Sequence, residues 1–273
     1  EGIRATRFLY GTAWKEDETR RLTELAMRAG FRGIDTACQP NHYREDGVGD
    51  ALTELRRVGV RREDFYLQTK FTPVHGQDPQ TIPYDPQAEL ADQITQSFKA
   101  SLQNLKVEYL DVLILHSPIN SMELTLEAWQ GLEMIQKVGG TRQLGISNCY
   151  DLNVLQELYR QADIKPSVVQ NRFYAKTGYD MEIRRWCREY NISYQSFWTL
   201  TANSRLLNHG DVKSLSDRLQ KTAAQILFRY LHQKGVTPLT GTTSQQHMEE
   251  ELAITEFVLE DEDEQKIDNL LLV

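Results

Sequence analysis

The chain has 273 residues, a length typical of one α/β barrel, and 40% of them are hydrophobic, which excludes a disordered chain. Its formal net charge of −8 offers no basic surface for nucleic acid or for an anionic membrane. No run approaches the length of a membrane span, and residues 1–14 lack the pattern of a secretory signal, so we expect neither.

The chain contains three cysteines, Cys38, Cys149 and Cys187. An odd number of widely spaced cysteines does not indicate a disulfide framework, so we expect reduced thiols and a cytoplasmic protein. Neither Cys-x-x-Cys nor His-x-x-x-His occurs, and we therefore predict no metal site. We expect a monomer or a weak homo-oligomer.

Short apolar runs alternate along the chain with segments of helical periodicity. The runs are residues 8–13, 33–36, 65–70, 111–116, 143–147, 167–170, 192–197 and 237–241. This alternation is typical of repeated βα units and predicts an α/β fold, a (β/α)8 TIM barrel in a single domain over residues 1–273. An open doubly wound sheet is the alternative, but no Gly-x-Gly-x-x-Gly follows the first run.

Helical periodicity predicts helices between these runs. They cover residues 18–28, 93–105, 124–138, 151–159 and 222–233. Residues 71–86 contain four prolines and are predicted to form a long functional loop. Residues 256–268 are acidic and are predicted to form an amphipathic helix lying on the barrel.

Ionisable side chains stand at the ends of three successive predicted strands: Asp35, Lys70 and His116. In a barrel, such positions face one shared cavity. A carbonyl that accepts a hydride needs a proton donor, and a nearby ammonium lowers the pKa of a tyrosine from about 10. A carboxylate would hold the lysine, and a histidine would orient the carbonyl oxygen. Tyr43, in the loop after the second strand, is the predicted donor.

Several ordered motifs resemble those of the aldo-keto reductases. They are Gly-Phe-Arg-Gly-Ile-Asp-Thr-Ala at 30–37, Val-Gly-Asp-Ala-Leu at 48–52, Thr69-Lys70, residues 111–116, Gly-Ile-Ser-Asn at 145–148 and Gln170-Asn171. The resemblance covers nearly the whole chain. It implies a barrel, a nicotinamide cofactor that is usually NADPH, and an Asp-Tyr-Lys-His tetrad.

The tyrosine of that tetrad is displaced. The family places it five residues after the aspartate, where this chain has Pro40, and the first tyrosine is Tyr43. Either Pro40 fixes a turn that returns Tyr43 to the site, or Tyr43 faces solvent and His42, or no residue, donates the proton.

The resemblance also implies cofactor contacts. They are Ser147, Asn148 and Gln170 at the nicotinamide, Gln195, Ser196 and Trp198 after the seventh strand, and Gly241, Thr242, Thr243, His247 and Glu251 at the phosphates and adenosine. Gln195 occupies the position of the family's stacking aromatic ring. The family often has lysine and arginine where this chain has Gly241 and His247, so NADH is possible.

Aromatic residues near the strand ends predict the substrate pocket. Trp14, Phe71, His75 and Trp198 are its predicted lining, and each could equally be a loop-packing residue. The predicted function is an NADPH-dependent reductase of a small-molecule aldehyde or ketone. The alternatives are a nicotinamide-binding accessory subunit, or a biosynthetic enzyme that reduces an enone or imine or runs a non-redox step.

Overall fold

The computed structural model of the protein describes residues 8–272. Eight parallel strands close into a barrel in chain order, each pairing with the next and the last with the first. They are β1 (Leu9–Gly11), β2 (Gly33–Asp35), β3 (Tyr66–Phe71), β4 (Leu110–Leu115), β5 (Thr141–Ser147), β6 (Val168–Arg172), β7 (Ser193–Phe197) and β8 (Val236–Thr240). The predicted (β/α)8 fold is therefore confirmed, and the open sheet is excluded.

Helices surround the strands. They are α1 (Thr19–Ala29), α2 (Glu45–Arg57), α3 (Leu90–Leu105), α4 (Met122–Lys137), α5 (Leu152–Gln161), α6 (Met181–Glu189), α7 (Ser204–Leu207), α8 (Gly210–Leu219), α9 (Ala223–Gln233), α10 (Gln245–Leu252) and α11 (Asp261–Leu270). Within residues 8–272 no helix is both long and apolar enough to cross a membrane.

The helix predictions were correct in type and incomplete in number. The segments α2, α6, α7 and α8 were not predicted. The tail helix was placed too early, because Glu260 is extended and caps a helix that begins at Asp261. The long third loop is confirmed and contains one 3₁₀ turn, Val74–Gly76.

Side chains alternate between the two faces of the strands, and this alternation separates two apolar clusters. The smaller cluster fills the barrel interior with Leu9, Tyr66, Val112, Ile114, Val168 and Leu239, and Phe197 packs against it. The larger cluster lies between the strands and the helices. At Gly145, an added Cβ would lie 2.9 Å from Val168 Cβ and 3.1 Å from Ile114 Cγ1, so the interior is full at this level.

Candidate active site

A buried ion pair lies at the carboxyl ends of β2 and β3. Lys70 Nζ donates to Asp35 Oδ2 at 2.7 Å and to Asp35 Oδ1 at 2.8 Å, and also to the carbonyl oxygen of Thr36 at 2.8 Å. These contacts use all three ammonium protons. Burial lowers the pKa of Lys70, and the Asp35 carboxylate opposes that effect.

Side-chain amides support the ion pair from inside the barrel. Asp35 Oδ1 also accepts hydrogen bonds from Gln68 Nε2 at 2.6 Å and from Gln170 Nε2 at 2.9 Å. Gln68 and Gln195 exchange two reciprocal amide hydrogen bonds, of 2.8 and 3.0 Å. The carboxylate is therefore held by an ammonium and two amides, in an environment where its charge is fully compensated.

The loop after β2 turns back towards the ion pair. Its residue Cys38 forms an isolated parallel bridge with Phe71, the last residue of β3. Pro40 lies in the turn that follows, and the backbone N–H groups of His42 and Tyr43 both donate to the carbonyl oxygen of Gln39. The turn expected at Pro40 is present.

This turn brings Tyr43 to the ion pair. The half-buried Tyr43 ring has Lys70 Nζ 5.2 Å from its centroid and the His116 ring 6.1 Å away. His42 Nδ1 lies 3.0 Å from Gln39 Oε1 and its ring lies 3.9 Å from the Trp14 ring, while its charge is close enough to lower the pKa of His116. Tyr43 is the side chain of this loop that lies against both Lys70 and the His116 ring.

The charge environment of Tyr43 differs from the expectation. Burial raises the pKa of Tyr43, and the Asp35 carboxylate raises it further. The expected lowering by Lys70 is absent, because the ammonium is neutralised by Asp35 and its protons are already donated. Tyr43 is therefore a protonated phenol at neutral pH.

His116 follows β4 and is a neutral imidazole. Burial lowers its pKa well below the usual value, and the positive charge of Lys70 lowers it further. Its Nδ1 lies 2.6 Å from Thr72 Oγ1. A neutral imidazole whose Nδ1 accepts from this hydroxyl carries its proton on Nε2, as a donor for a carbonyl oxygen.

Three of the predicted cofactor residues lie together on β5 and β6. Ser147 Oγ donates to the carbonyl oxygen of Gln170, and Asn148 Nδ2 donates to that of His116. Asn148 adopts a left-handed φ of 52°. None of residues 8–272 donates to Gln170 Oε1, although its amide nitrogen is bonded to Asp35 and Gln195. This amide oxygen is an acceptor that a carboxamide N–H group fits.

The predicted contacts on β7 lie in two different places. Gln195 and Ser196 are buried, the first in the amide pair with Gln68 and the second against the Thr199 hydroxyl at 2.9 Å. The hydrogen bonds of both side chains are therefore made within the protein, and neither side chain faces solvent. Trp198 is 49% exposed at the rim, with a left-handed φ of 54°.

The loop after β8 leads into α10. Ser244 caps the helix by accepting from the His247 N–H. Lys15, from the loop after β1, donates to the carbonyl oxygen of Gly241. Thr242 and Thr243 follow Gly241, and the Thr242 hydroxyl lies 3.4 Å from His247 Nδ1.

Glu251 lies on the inner side of α10 and is 3% exposed. Its Oε1 accepts from the Thr240 hydroxyl, and its Oε2 has no partner among the described residues. Burial raises the pKa of Glu251 to about 7. When Glu251 is ionised, its buried negative charge destabilises the fold and would repel a nearby phosphate.

The four predicted pocket residues do not lie together. Phe71 does not line the cavity, because strand alternation turns it away from the Lys70 face, to pack on Tyr84 at 5.5 Å. His75 lies at the rim, with Nε2 3.0 Å from Ser117 Oγ. Trp14 is 61% exposed on the rim.

Comparison with known proteins agrees with the fold. The sequence model described as the Aldo/keto reductase family matches residues 7–272. The chain belongs to the Aldo/keto reductase family. It is therefore an oxidoreductase of the aldo-keto reductase type. It is 28% identical to glyoxal reductase of Bacillus subtilis over 93% of this chain and 84% of that protein.

Solved aldo-keto reductase structures share the fold. The Brucella melitensis aldo/keto reductase superposes with a TM-score of 0.82 at 24% identity, over 97% of this chain and 94% of that one. A Bombyx mori aldo-keto reductase, solved in complex with NADP, superposes with a TM-score of 0.80 at 22% identity, over 96% and 88%.

The sequence alone missed several polar side chains of this aldo-keto reductase site. They are Lys15, Gln68, Thr72 and Arg172. Two of them carried a signal, because Gln68 and Arg172 each stand two residues from a predicted site residue on the same strand and so share its face. No three His, Cys, Asp or Glu side chains of residues 8–272 are grouped so that they could hold a metal ion.

Proposed function

We propose that this aldo-keto reductase reduces an aldehyde or ketone to the alcohol with a nicotinamide cofactor, and that Tyr43 is the proton donor. The observation that carries this proposal is the position of the Tyr43 ring, which lies near both Lys70 Nζ and the His116 ring. When bound, the reduced cofactor supplies a hydride to the carbonyl carbon.

The side chains of the site have separate roles in proton transfer and in orienting the carbonyl. Tyr43 transfers its phenolic proton to the carbonyl oxygen as charge develops there, and recovers a proton from solvent. Neutral His116 donates from Nε2 to the same oxygen and orients the carbonyl. Lys70, held by Asp35, keeps its ammonium over the Tyr43 ring and so positions the phenol.

One amide oxygen fits the nicotinamide carboxamide. Gln170 Oε1 offers an acceptor without a partner among residues 8–272, whereas the Ser147 hydroxyl and the Asn148 amide beside it donate to protein atoms. Trp198 is the remaining predicted contact with an exposed ring. Gln195 offers no stacking surface, because its amide is bonded inside the barrel.

The loop of Gly241, Thr242 and Thr243 is proposed to hold the cofactor phosphates, since it enters a helix N-terminus and receives the Lys15 ammonium. We propose NADPH as the cofactor, in line with family membership and with the Bombyx mori enzyme solved with NADP. NADH is the alternative, because His247 replaces a bidentate arginine and Glu251 lies nearby.

The names of the relatives indicate candidate substrates. The Bacillus subtilis relative is named a glyoxal reductase, so small dicarbonyl compounds are the first candidates. We also propose a cytoplasmic location, since all three cysteines are free and buried.

Oxidation of NADPH and NADH, followed by absorbance with glyoxal and 4-nitrobenzaldehyde, tests this proposal. Turnover with either aldehyde supports it, and fluorescence titration gives the dissociation constant of each cofactor. Tight cofactor binding without turnover of any carbonyl would overturn it in favour of an accessory subunit.

A further inference from the structure

Arg172 ends β6 at the mouth of the barrel. Two residues earlier, Gln170 reaches Asp35 inside the barrel, whereas the intervening Asn171 faces outward and donates to Asp180 Oδ2 at 2.7 Å. Because strand side chains alternate, Arg172 shares the interior face with Gln170. Its side chain therefore belongs to the cavity above the ion pair.

Aromatic rings hold the guanidinium in place. Register pairs Arg172 with Phe197, which packs against the interior apolar cluster. The guanidinium carbon lies 4.1 Å from the centroid of Trp198, 5.3 Å from that of Tyr174 and 5.9 Å from that of Phe197. Such cation–π contacts fix the plane of the group without neutralising its charge.

No anion within the described residues compensates this charge. Residues 8–272 provide no carboxylate within 4.0 Å of the Arg172 guanidinium and no hydrogen-bond acceptor for it, and its Nε is buried without a partner. Arg62 is also half-buried and its Nε also lacks a partner, but its Nη2 donates to the Asp111 carboxylate at 2.8 Å. Unmet donors at a desolvated position are costly, and a ligand carboxylate matches their fork geometry.

Arg172 is connected to the reacting site by a short chain of hydrogen bonds. Its backbone N–H donates to the Tyr150 hydroxyl, which donates to Asn148 Oδ1, and Asn148 Nδ2 donates to the carbonyl oxygen of His116. These bonds connect the backbone at the end of β6 to the residue that follows β4. The loop proposed for the cofactor phosphates follows a different strand, β8.

We propose that Arg172 binds the carboxylate of the substrate, and that this enzyme prefers carbonyl compounds that carry a carboxylate group. Trp198, whose ring centroid lies 4.1 Å from the guanidinium carbon, shapes the same subsite. The proposal rests on the proposed carbonyl reduction and specifies its substrate class.

A matched substrate pair tests the preference: 4-carboxybenzaldehyde and its neutral methyl ester, methyl 4-formylbenzoate. We expect the wild type to favour the acid in kcat/KM. Arg172→Gln should lower kcat/KM for the acid by about ten- to hundredfold, mainly through KM, and change the ester by less than about threefold. The kcat/KM of Arg172→Lys for the acid should lie between those of the wild type and Arg172→Gln. Arg188→Gln, at an exposed position of α6, is the control for the change in net charge.

Three results would overturn the assignment: an equal loss for both substrates, no loss for either, or a raised dissociation constant of NADPH in Arg172→Gln with an unchanged acid-to-ester ratio. The last would place the guanidinium on the cofactor instead.

Calorimetric titration with benzoate and benzamide separates this inference from the proposed function. We expect the wild type to bind benzoate and Arg172→Gln to lose that binding, while benzamide binds weakly to both. If neither aldehyde is turned over, the proposed reduction fails and the benzoate titration still decides the role of Arg172. If both aldehydes are turned over equally and benzoate does not bind, the reduction stands and the carboxylate site is refuted.

Discussion

Replacing Asp35 with asparagine should destabilise the protein strongly while leaving the shape of the side chain unchanged. Lys70 Nζ is buried and places two of its three hydrogen bonds on this carboxylate. In Asp35→Asn the ammonium keeps only the Thr36 carbonyl and one amide oxygen. Removing one partner of a buried ion pair costs about 3–5 kcal/mol, because the other charge stays buried.

Urea unfolding followed by circular dichroism measures this cost. The exposed pair of Lys106 and Asp50 provides the matched control, and Asp50→Asn should cost less than about 1 kcal/mol. The double variant Asp35→Asn with Lys70→Met should recover part of the loss, since no charge remains unpaired. If Asp35→Asn lowers the free energy of unfolding by less than about 1 kcal/mol, the buried Lys70 charge does not depend on Asp35.

Further predictions concern the interior, a buried acid and the histidine. Gly145→Ala should destabilise by about 1–3 kcal/mol, because the added Cβ meets Val168 at 2.9 Å, and equal urea midpoints would contradict it. The pKa of Glu251 is raised to about 7, so its folded form holds a proton that the unfolded chain releases near pH 4.5. Wild-type stability should therefore fall by up to about 3 kcal/mol between pH 5 and 8, while Glu251→Gln should show a flatter curve of melting temperature against pH. Thr72→Val should lower kcat about tenfold by freeing His116 Nδ1, and Thr72→Ser should restore it; equal activity of the two variants would exclude this role.

The barrel was predictable because its strands are buried on both faces and stand out as apolar runs between helical segments. The polar interior was not, since the pairing of Gln68 with Gln195 depends on register between distant strands. Arg172 was missed for a local reason: the sixth strand was predicted to end at residue 170, and it continues for two residues.

The position of Tyr43 illustrates a different limit. The loop length and Pro40 are visible in the sequence, but the direction of the loop depends on the bridge between Cys38 and Phe71 and on hydrogen bonds to Gln39. The bridge joins segments far apart in the chain, and no local pattern predicts it. The ends of β2, β3 and β4, by contrast, each lie within one residue of the end of the predicted run.

The activity of Tyr43→Phe with NADPH and glyoxal shows whether Tyr43 donates the proton. We predict that kcat falls at least about a hundredfold, because the phenolic proton is lost, while the dissociation constant of NADPH changes less than about twofold. His42→Gln should remain active, since that ring is turned towards Gln39 and Trp14. Full turnover in Tyr43→Phe would contradict the account.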